Sequence, residues 1–268
     1  MKSIKSKNIL IVELGSESKI WILRRIASLG VNLYLAQSEN YPGIKNIIPK
    51  NHIIWVNTYS IHHLISKVFA FLESNNITFD GVGTFFELAV PNASILAGVL
   101  SLPSIKPDVA FRTSNCKLSM RHMLSKFGIR DVAYKYVDKI PTNKEKININ
   151  RPSVLKPIVG NNSYGAIYLD KRRGKLKNQS FINNTTQKAI EKVFSTADAG
   201  YLIEEYIQGT QITIDGYVFK DKIEIFGMTE VLYTPLHTSC RIQTISHLEF
   251  QNQILNHVVH IQKISSTN

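Results

Sequence analysis

Residues 154–165, VLKPIVGNNSYG, and residues 202–215, LIEEYIQGTQITID, decide how this chain reads. In the first, a short apolar strand ends on Lys156, a position where charge is excluded unless it meets a partner. Two partners fit: water, reached by a snorkelling side chain, or an anionic ligand. A lysine about 4 Å from a phosphate oxygen gains ~4 kcal/mol at an effective dielectric of 20, before desolvation is subtracted. The residues that follow favour the anion. Gly160 and Gly165 bound a run of small polar residues, Asn161, Asn162 and Ser163, that tolerates positive φ and leaves backbone N–H groups free to face phosphate oxygens.

This is not a Walker loop, because no Gly-Lys-Ser/Thr follows. Nor does a GxGxxG occur; Gly81-Val82-Gly83 stands alone, and the first strand leads into ELGSES. In the second stretch, Glu204 and Glu205 are neighbours on a strand and so point to opposite faces, which lets one of them face a given cleft. Alternation of Ile212, Ile214 and Val218 puts Gln211, Thr213 and Asp215 together on the other face. That polar face reads equally as a cleft lining or as the solvated side of an antiparallel strand.

Outward from these stretches the chain changes texture. Residues 8–12 form an apolar run, Gly15 and Ser16 turn the chain into an amphipathic segment closed by Gly30 at the C′ position, and a second apolar run covers 31–36. Strand, helix, strand with short connections is the signature of a parallel sheet. The pattern recurs with a strand at 53–56, Ser60 as N-cap, and Ile61, Leu64, Ile65, Val68, Phe69 and Leu72 at helical spacing. A strand at 80–84 and a helix around 92–100 follow, and the two prolines in 101–107 mark a domain boundary. Beyond it, Ser114 or Asn115 caps a helix over 117–127 that Gly128 closes. Short strands are expected at 132–137, 153–156, 166–169, 201–207, 211–219 and 222–229, with Lys220-Asp221 as a hairpin turn. Helices are expected over 186–194 and 249–261. The fold class is therefore α/β: a Rossmann-like parallel-sheet domain at 1–107, then an α+β domain at 108–268.

Length and composition fit this organisation. The 268 residues are 44% hydrophobic, enough for two modest cores, and no apolar run approaches the ~20 residues of a membrane span. The run at 9–12 is too short for a signal peptide. Cys116 and Cys240 lack companions at metal-ligand spacing, so no zinc site or disulfide framework is implied and a reducing cytoplasmic setting is the default. The net charge of +12 is concentrated: residues 112–177 hold 16 Lys and Arg against 4 Asp and Glu. Such a field draws nucleic acid or polyphosphates. No helix-turn-helix, RRM or interleaved aromatic pattern accompanies it, and the cluster at 171–177 reads as a solvated loop tip, so nucleic acid is not the expected partner.

The order of these segments resembles the ATP-grasp superfamily, nearest to its carboxylate–amine ligases that join amino acids. FDGVGTFFELAVPNASILAGVLSLPS (79–104) is similar to the last strand and helix of the domain that precedes the grasp, and NCKLSMRHMLSKFGI (115–129) to the helix that opens it. The resemblance implies that Lys117 and Lys156 are the two phosphate-contacting lysines, with Asn162, Ser163 and Gly165 in the loop that folds over the phosphates. It implies that Glu204, Glu205 and Ile207 lie on the adenine-holding strand, within a lid subdomain of about 130–207. Gln211 takes the place of the ribose-binding acid, and an amide there cannot accept hydroxyl protons as a carboxylate does.

The implied reaction uses ATP to phosphorylate a carboxylate, and an amine then attacks the acyl phosphate; catalysis of this kind is charge neutralisation and positioning by lysines and Mg²⁺. The metal-binding acid and its E-x-N-p-R strand would follow the last helix, so Mg²⁺ ligands are expected outside these residues and the grasp domain is expected to be incomplete. Glu249 opening an amphipathic helix, and His257 and His260 on it, are poor substitutes. No residue is singled out as catalytic or as a metal ligand. Two functions follow: an ATP-dependent ligase of small carboxylates and amines, with a homodimer as the family-level expectation, or a non-catalytic nucleotide-binding or interaction protein.

Overall fold

The computed structural model of the chain describes residues 4–129, 132–138, 151–160, 166–169, 200–219, 222–233 and 240–244. Contacts divide the chain into two compact units, residues 1–123 with 133–205, and residues 124–132 with 206–268.

The first unit begins with a parallel sheet. Strands β1 (Asn8–Val12), β2 (Asn32–Gln37), β3 (Ile53–Trp55) and β4 (Gly81–Gly83) lie in the order β3-β2-β1-β4. Asn8 pairs with Asn32 and Ile9 with Leu33 on one side of β1, while Ile9 pairs with Gly81 on the other. The unbroken apolar runs follow from burial on both faces. Leu10, Val12, Tyr34 and Ala36 face a core with Leu64, Val68, Ala93 and Leu96, from helices α2 (Ile61–Asn75) and α3 (Val90–Val99). Their neighbours Ile11, Leu33 and Leu35 face Leu23 of α1 (Ile20–Ala27) together with Ile44 and Ile48. Helices cover both sides, which is the doubly wound arrangement expected of the first domain.

Two details depart from the sequence reading. Phe69 is not part of the inner face of α2 but stands 41% exposed, because Leu64 and Val68 already fill the stripe against the sheet. Gly30 lies one position beyond C′, since Ser28 is the C-cap of α1; it still adopts the left-handed φ of +77° that its glycine suits.

The carboxyl edge of the sheet is tied by a buried acid. Glu13, 1% exposed, accepts from Gln37 Nε2 at 2.7 Å and Gly15 N at 3.3 Å through Oε1. Its Oε2 accepts from Ser38 N at 3.0 Å, Ser38 Oγ at 2.6 Å and Thr58 Oγ1 at 2.7 Å. One side chain thus joins the segments that leave β1, β2 and β3. Gly15 next to it has φ +77°, and a Cβ there would lie 2.3 Å from Phe86 Cδ2, so both the backbone conformation and the ring demand glycine.

After α4 (Pro107–Ala110) comes a π-helical turn at Phe111–Asn115, and α5 (Lys117–Lys126) starts beyond it. Neither Ser114 nor Asn115 caps α5. Ser114 Oγ donates to Ala110 O at 2.5 Å, and the π turn carries Asn115 away from the helix start. The cap is Cys116, whose thiol accepts from Ser119 N at 3.4 Å.

An antiparallel sheet completes the unit. Strands β5 (Tyr134–Val137), β6 (Ser153–Pro157), β7 (Ile167–Leu169) and β8 (Tyr201–Glu205) lie in the order β5-β8-β6-β7. Strand β8 stops at Glu205, two residues short of the expected Ile207, which is 64% exposed.

Among its described residues the second unit is a three-stranded antiparallel sheet, β9 (Gln211–Phe219), β10 (Lys222–Tyr233) and β11 (Cys240–Thr244), in the order β11-β10-β9. The sequence reading ended β10 at Thr229 and missed β11. A bulge between Ile225 and Gly227 leaves Phe226 72% exposed. The expected helices at 186–194 and 249–261, the basic tip at 171–177 and the turn at 220–221 lie outside the described residues. No helix among the described residues is long and apolar enough to cross a membrane.

Candidate functional site

The register of β6 against β8 places the first charged pair. Val154 sits opposite Glu204 and Lys156 opposite Leu202, so Lys156 and Glu204 are diagonal neighbours on one face. Long side chains span that diagonal, and Lys156 Nζ lies 2.5 Å from Glu204 Oε2. The lysine that the sequence left between solvent and an anion has a protein carboxylate as one partner. Glu205, on the opposite face, pairs with Arg151 at 2.9 Å and is half-buried.

Helix α5 supplies two more cations from one face. Lys117 is its first residue: its N–H donates to Ile158 O at 3.0 Å and its Nζ to Gly160 O at 2.7 Å. Both acceptors belong to the segment that leaves β6, so the helix start is fastened beside the entrance to the glycine-bounded loop. Gly160 takes φ +136°, a conformation that side chains rarely adopt. One turn on, Arg121 meets Glu204 with Nε on Oε1 at 3.1 Å and Nη2 on Oε2 at 3.1 Å. This two-point fork is the strong geometry for a guanidinium and a carboxylate.

The cluster is unevenly charged. Arg121 and Lys156 pair with Glu204, which is 5% exposed, and Lys117 stands near enough to feel the charges of both Lys156 and Glu204. Burial pushes the Glu204 carboxyl up, but the hydrogen bonds and charges of Arg121 and Lys156 outweigh it and hold the group below its ordinary range. Lys117 is pushed down, first by burial and then by the charge of Lys156, with Glu87 and Glu204 opposing. Lys117 and Lys156 repel one another in spite of the nearby carboxylates, and an anion brought here relieves that repulsion.

Lys117, Lys156 and Glu204 are therefore brought together from three elements. Asn162, Ser163 and Gly165 lie outside the described residues. Ile207 and Gln211 belong to the second unit, where Gln211 opens β9 opposite Val231 and is exposed. Arg121 was missed by sequence reasoning, although its signal was present: four residues after Lys117, it falls on the same helical face. Among the described residues no three His, Cys, Asp or Glu side chains gather as a metal site.

Sequence and fold can be set beside those of known proteins. Residues 149–263 match the family model described as ATP-grasp domain. A D-alanine–D-alanine ligase of Phocaeicola vulgatus is 34% identical over 119 residues, which is 43% of this chain and 33% of that protein. The solved L-amino acid ligase of Bacillus licheniformis superposes with a TM-score of 0.70 at 18% identity, covering 97% of this chain and 60% of that one. The N5-carboxyaminoimidazole synthetase of Staphylococcus aureus, solved complexed with ADP, gives a TM-score of 0.67 at 11% identity, covering 98% and 65%. The chain thus spans less than two thirds of the length of these relatives.

Proposed function

We propose that the chain is an ATP-grasp protein and acts as an ATP-dependent carboxylate–amine ligase on amino acids or similar small carboxylates, a reading supported by the ATP-grasp domain matched at residues 149–263 and by the likeness to a D-alanine–D-alanine ligase. The observation that carries this is the meeting of Lys117, at the start of α5, with Lys156, on β6, beside the segment that leads into the glycine-bounded loop. Lysines from separate elements clamp a triphosphate that neither would hold alone.

In this reading a substrate carboxylate oxygen attacks the γ-phosphorus, the bond to the β-phosphate oxygen breaks, and ADP leaves. The amine nitrogen of the second substrate then attacks the acyl carbon, loses a proton, and expels phosphate. Lys117 and Lys156 neutralise charge on the phosphates through both steps, which is the main contribution a site makes to such a transfer. Glu204 and Glu205 lie on the strand that the family resemblance assigns to the adenine. Mg²⁺ would enter with the nucleotide, and it is given no ligand among the described residues.

An amide at Gln211, where the family resemblance implies a ribose-binding acid, favours a second reading, nucleotide binding without turnover. Calorimetric titration with ATP, with and without Mg²⁺, separates the possibilities when paired with an assay of ADP release driven by pairs of amino acids. Binding that is lost in Lys156→Ala, together with ADP release that needs both substrates, is expected for the ligase. Binding without release leaves the second reading, and no heat at millimolar ATP overturns both.

A further inference from the structure

We infer that Arg121 is a positioning residue of the nucleotide site: its guanidinium clamps both oxygens of Glu204, so that Glu204 holds Lys156 in place while leaving its charge available to a phosphate. This rests on the reading of Lys117 and Lys156 as phosphate ligands.

The geometry separates Arg121 from a direct phosphate contact. Nε and Nη2 are each 3.1 Å from a different oxygen of Glu204, and this face of the guanidinium is committed to the carboxylate. The Arg121 side chain is 15% exposed and that of Glu204 6%, whereas that of Lys156 is 23% exposed. The inner pair is thus the more buried, and the lysine lies nearer to solvent, where a ligand arrives. A carboxylate with one lysine as its sole cation would bind that lysine tightly. With the fork in place, the charge of Glu204 is shared, and the pair formed by Arg121 and Glu204 is neutral as a unit. The net positive charge that Lys156 and Lys117 offer to a ligand is then greater by one than it would be without Arg121.

Position follows from the same contacts. Arg121 stands one helical turn after Lys117, so α5 is fastened to Gly160 O by one side chain and to Glu204 by the other. The lysine on α5 and the lysine on β6 are held in register through a residue that need touch no ligand.

The charge logic gives a signature that a purely structural role lacks. In Arg121→Met, Glu204 is left to Lys156 alone, and the net charge offered to an anion drops by one. In Arg121→Met/Glu204→Gln, both inner charges are gone and the net charge offered to an anion returns to that of the parent. Trace acetylation of the ligand-free chain, read by mass spectrometry at Lys156, measures how tightly that amine is held. Calorimetric titration with ATP measures the consequence.

Lys156 is expected to label more slowly in Arg121→Met than in the parent, and faster again in the double variant. ATP affinity is expected to fall ~10-fold in Arg121→Met, as for the loss of a charge-assisted pair, and to recover most of that in the double variant. Arg121→Lys, which keeps the charge without the fork, lies between. Circular dichroism of each variant confirms folding, and Arg121→Lys carries the test if Arg121→Met fails to fold. Unchanged labelling of Lys156, or affinity that stays lost in the double variant, overturns the inference. If the parent binds no ATP, the functional reading fails while the labelling series still decides whether Arg121 governs Lys156.

Discussion

Arg121 and Glu204, 83 residues apart in sequence, meet in a two-point bond with both N–O distances at 3.1 Å. This pair joins α5 to the middle of the antiparallel sheet, and Lys156 completes it from the neighbouring strand at 2.5 Å. Stability and, in the proposed function, nucleotide recognition therefore depend on the same carboxylate.

Glu204→Gln leaves two cations facing an amide where a buried charge stood. Breaking such a pair by removing one partner costs about 2–3 kcal/mol at a site whose cations keep some solvent access. Urea denaturation should show a lower midpoint of that size with an unchanged slope, whereas a midpoint within error of the parent would show that the cluster adds nothing to the fold.

Acid should remove the same contribution. Although burial opposes its charge, Arg121 and Lys156 keep Glu204 below its ordinary value of 4.5, so the folded chain binds this proton less readily than the unfolded one. The stabilisation is fully present above pH 4.5 and fades as the pH falls through the lowered value. Denaturation of parent and Glu204→Gln from pH 7 downward should give a constant gap that narrows below pH 4.5. A gap that narrows already between pH 7 and 5 would contradict the assignment.

At alkaline pH the informative group is Lys117. Burial, then the charge of Lys156, hold it below 10.5, so its charged form costs the folded state stability and that cost is relieved as the pH rises through the lowered value. A bound polyphosphate supplies the missing counter-charge and draws a proton back onto the amine. Nucleotide affinity should therefore fall on a limb below pH 10.5, with binding heats that depend on the buffer, and Lys117→Met should lose that limb. Equal heats in buffers of different ionisation enthalpy would remove Lys117 from the site.

In the parallel-sheet domain the sensitive position is Glu13. Glu13→Gln replaces an acceptor of five hydrogen bonds with a group that must aim an NH₂ at other donors, at an expected loss of about 2–4 kcal/mol. Gly15→Ala should cost a similar amount through its left-handed backbone and the Phe86 ring, and Phe86→Ala should restore part of it by opening the space. Thermal melts of the three variants and the double variant decide both points.

How much of this was legible in sequence depended on the range of the interaction. The apolar runs that became β1 and β2, the spacing that placed Leu64 and Val68 inward, and the glycine that closes α5 are local signals, and they were read correctly because strand alternation, helical period and left-handed caps act within a few residues. Lys156 was also visible as a charge in need of a partner, since an apolar strand makes burial of its end predictable. What the partner would be was not visible.

That required the antiparallel pairing of β6 with β8, which puts Glu204 diagonal to Lys156, and the docking of α5, which brings Arg121 to the same carboxylate. The capping thiol of Cys116 and the five-donor shell of Glu13 depended in the same way on where the chain folds back. The sequence by itself thus determined the strands and helices of the parallel-sheet domain, most strands after it and the residue types able to hold an anion, because these follow from local periodicity and chemistry. Only the tertiary structure decided which charges neutralise one another, because electrostatic pairing is set by distances of a few ångströms between segments that the sequence separates by up to 83 residues.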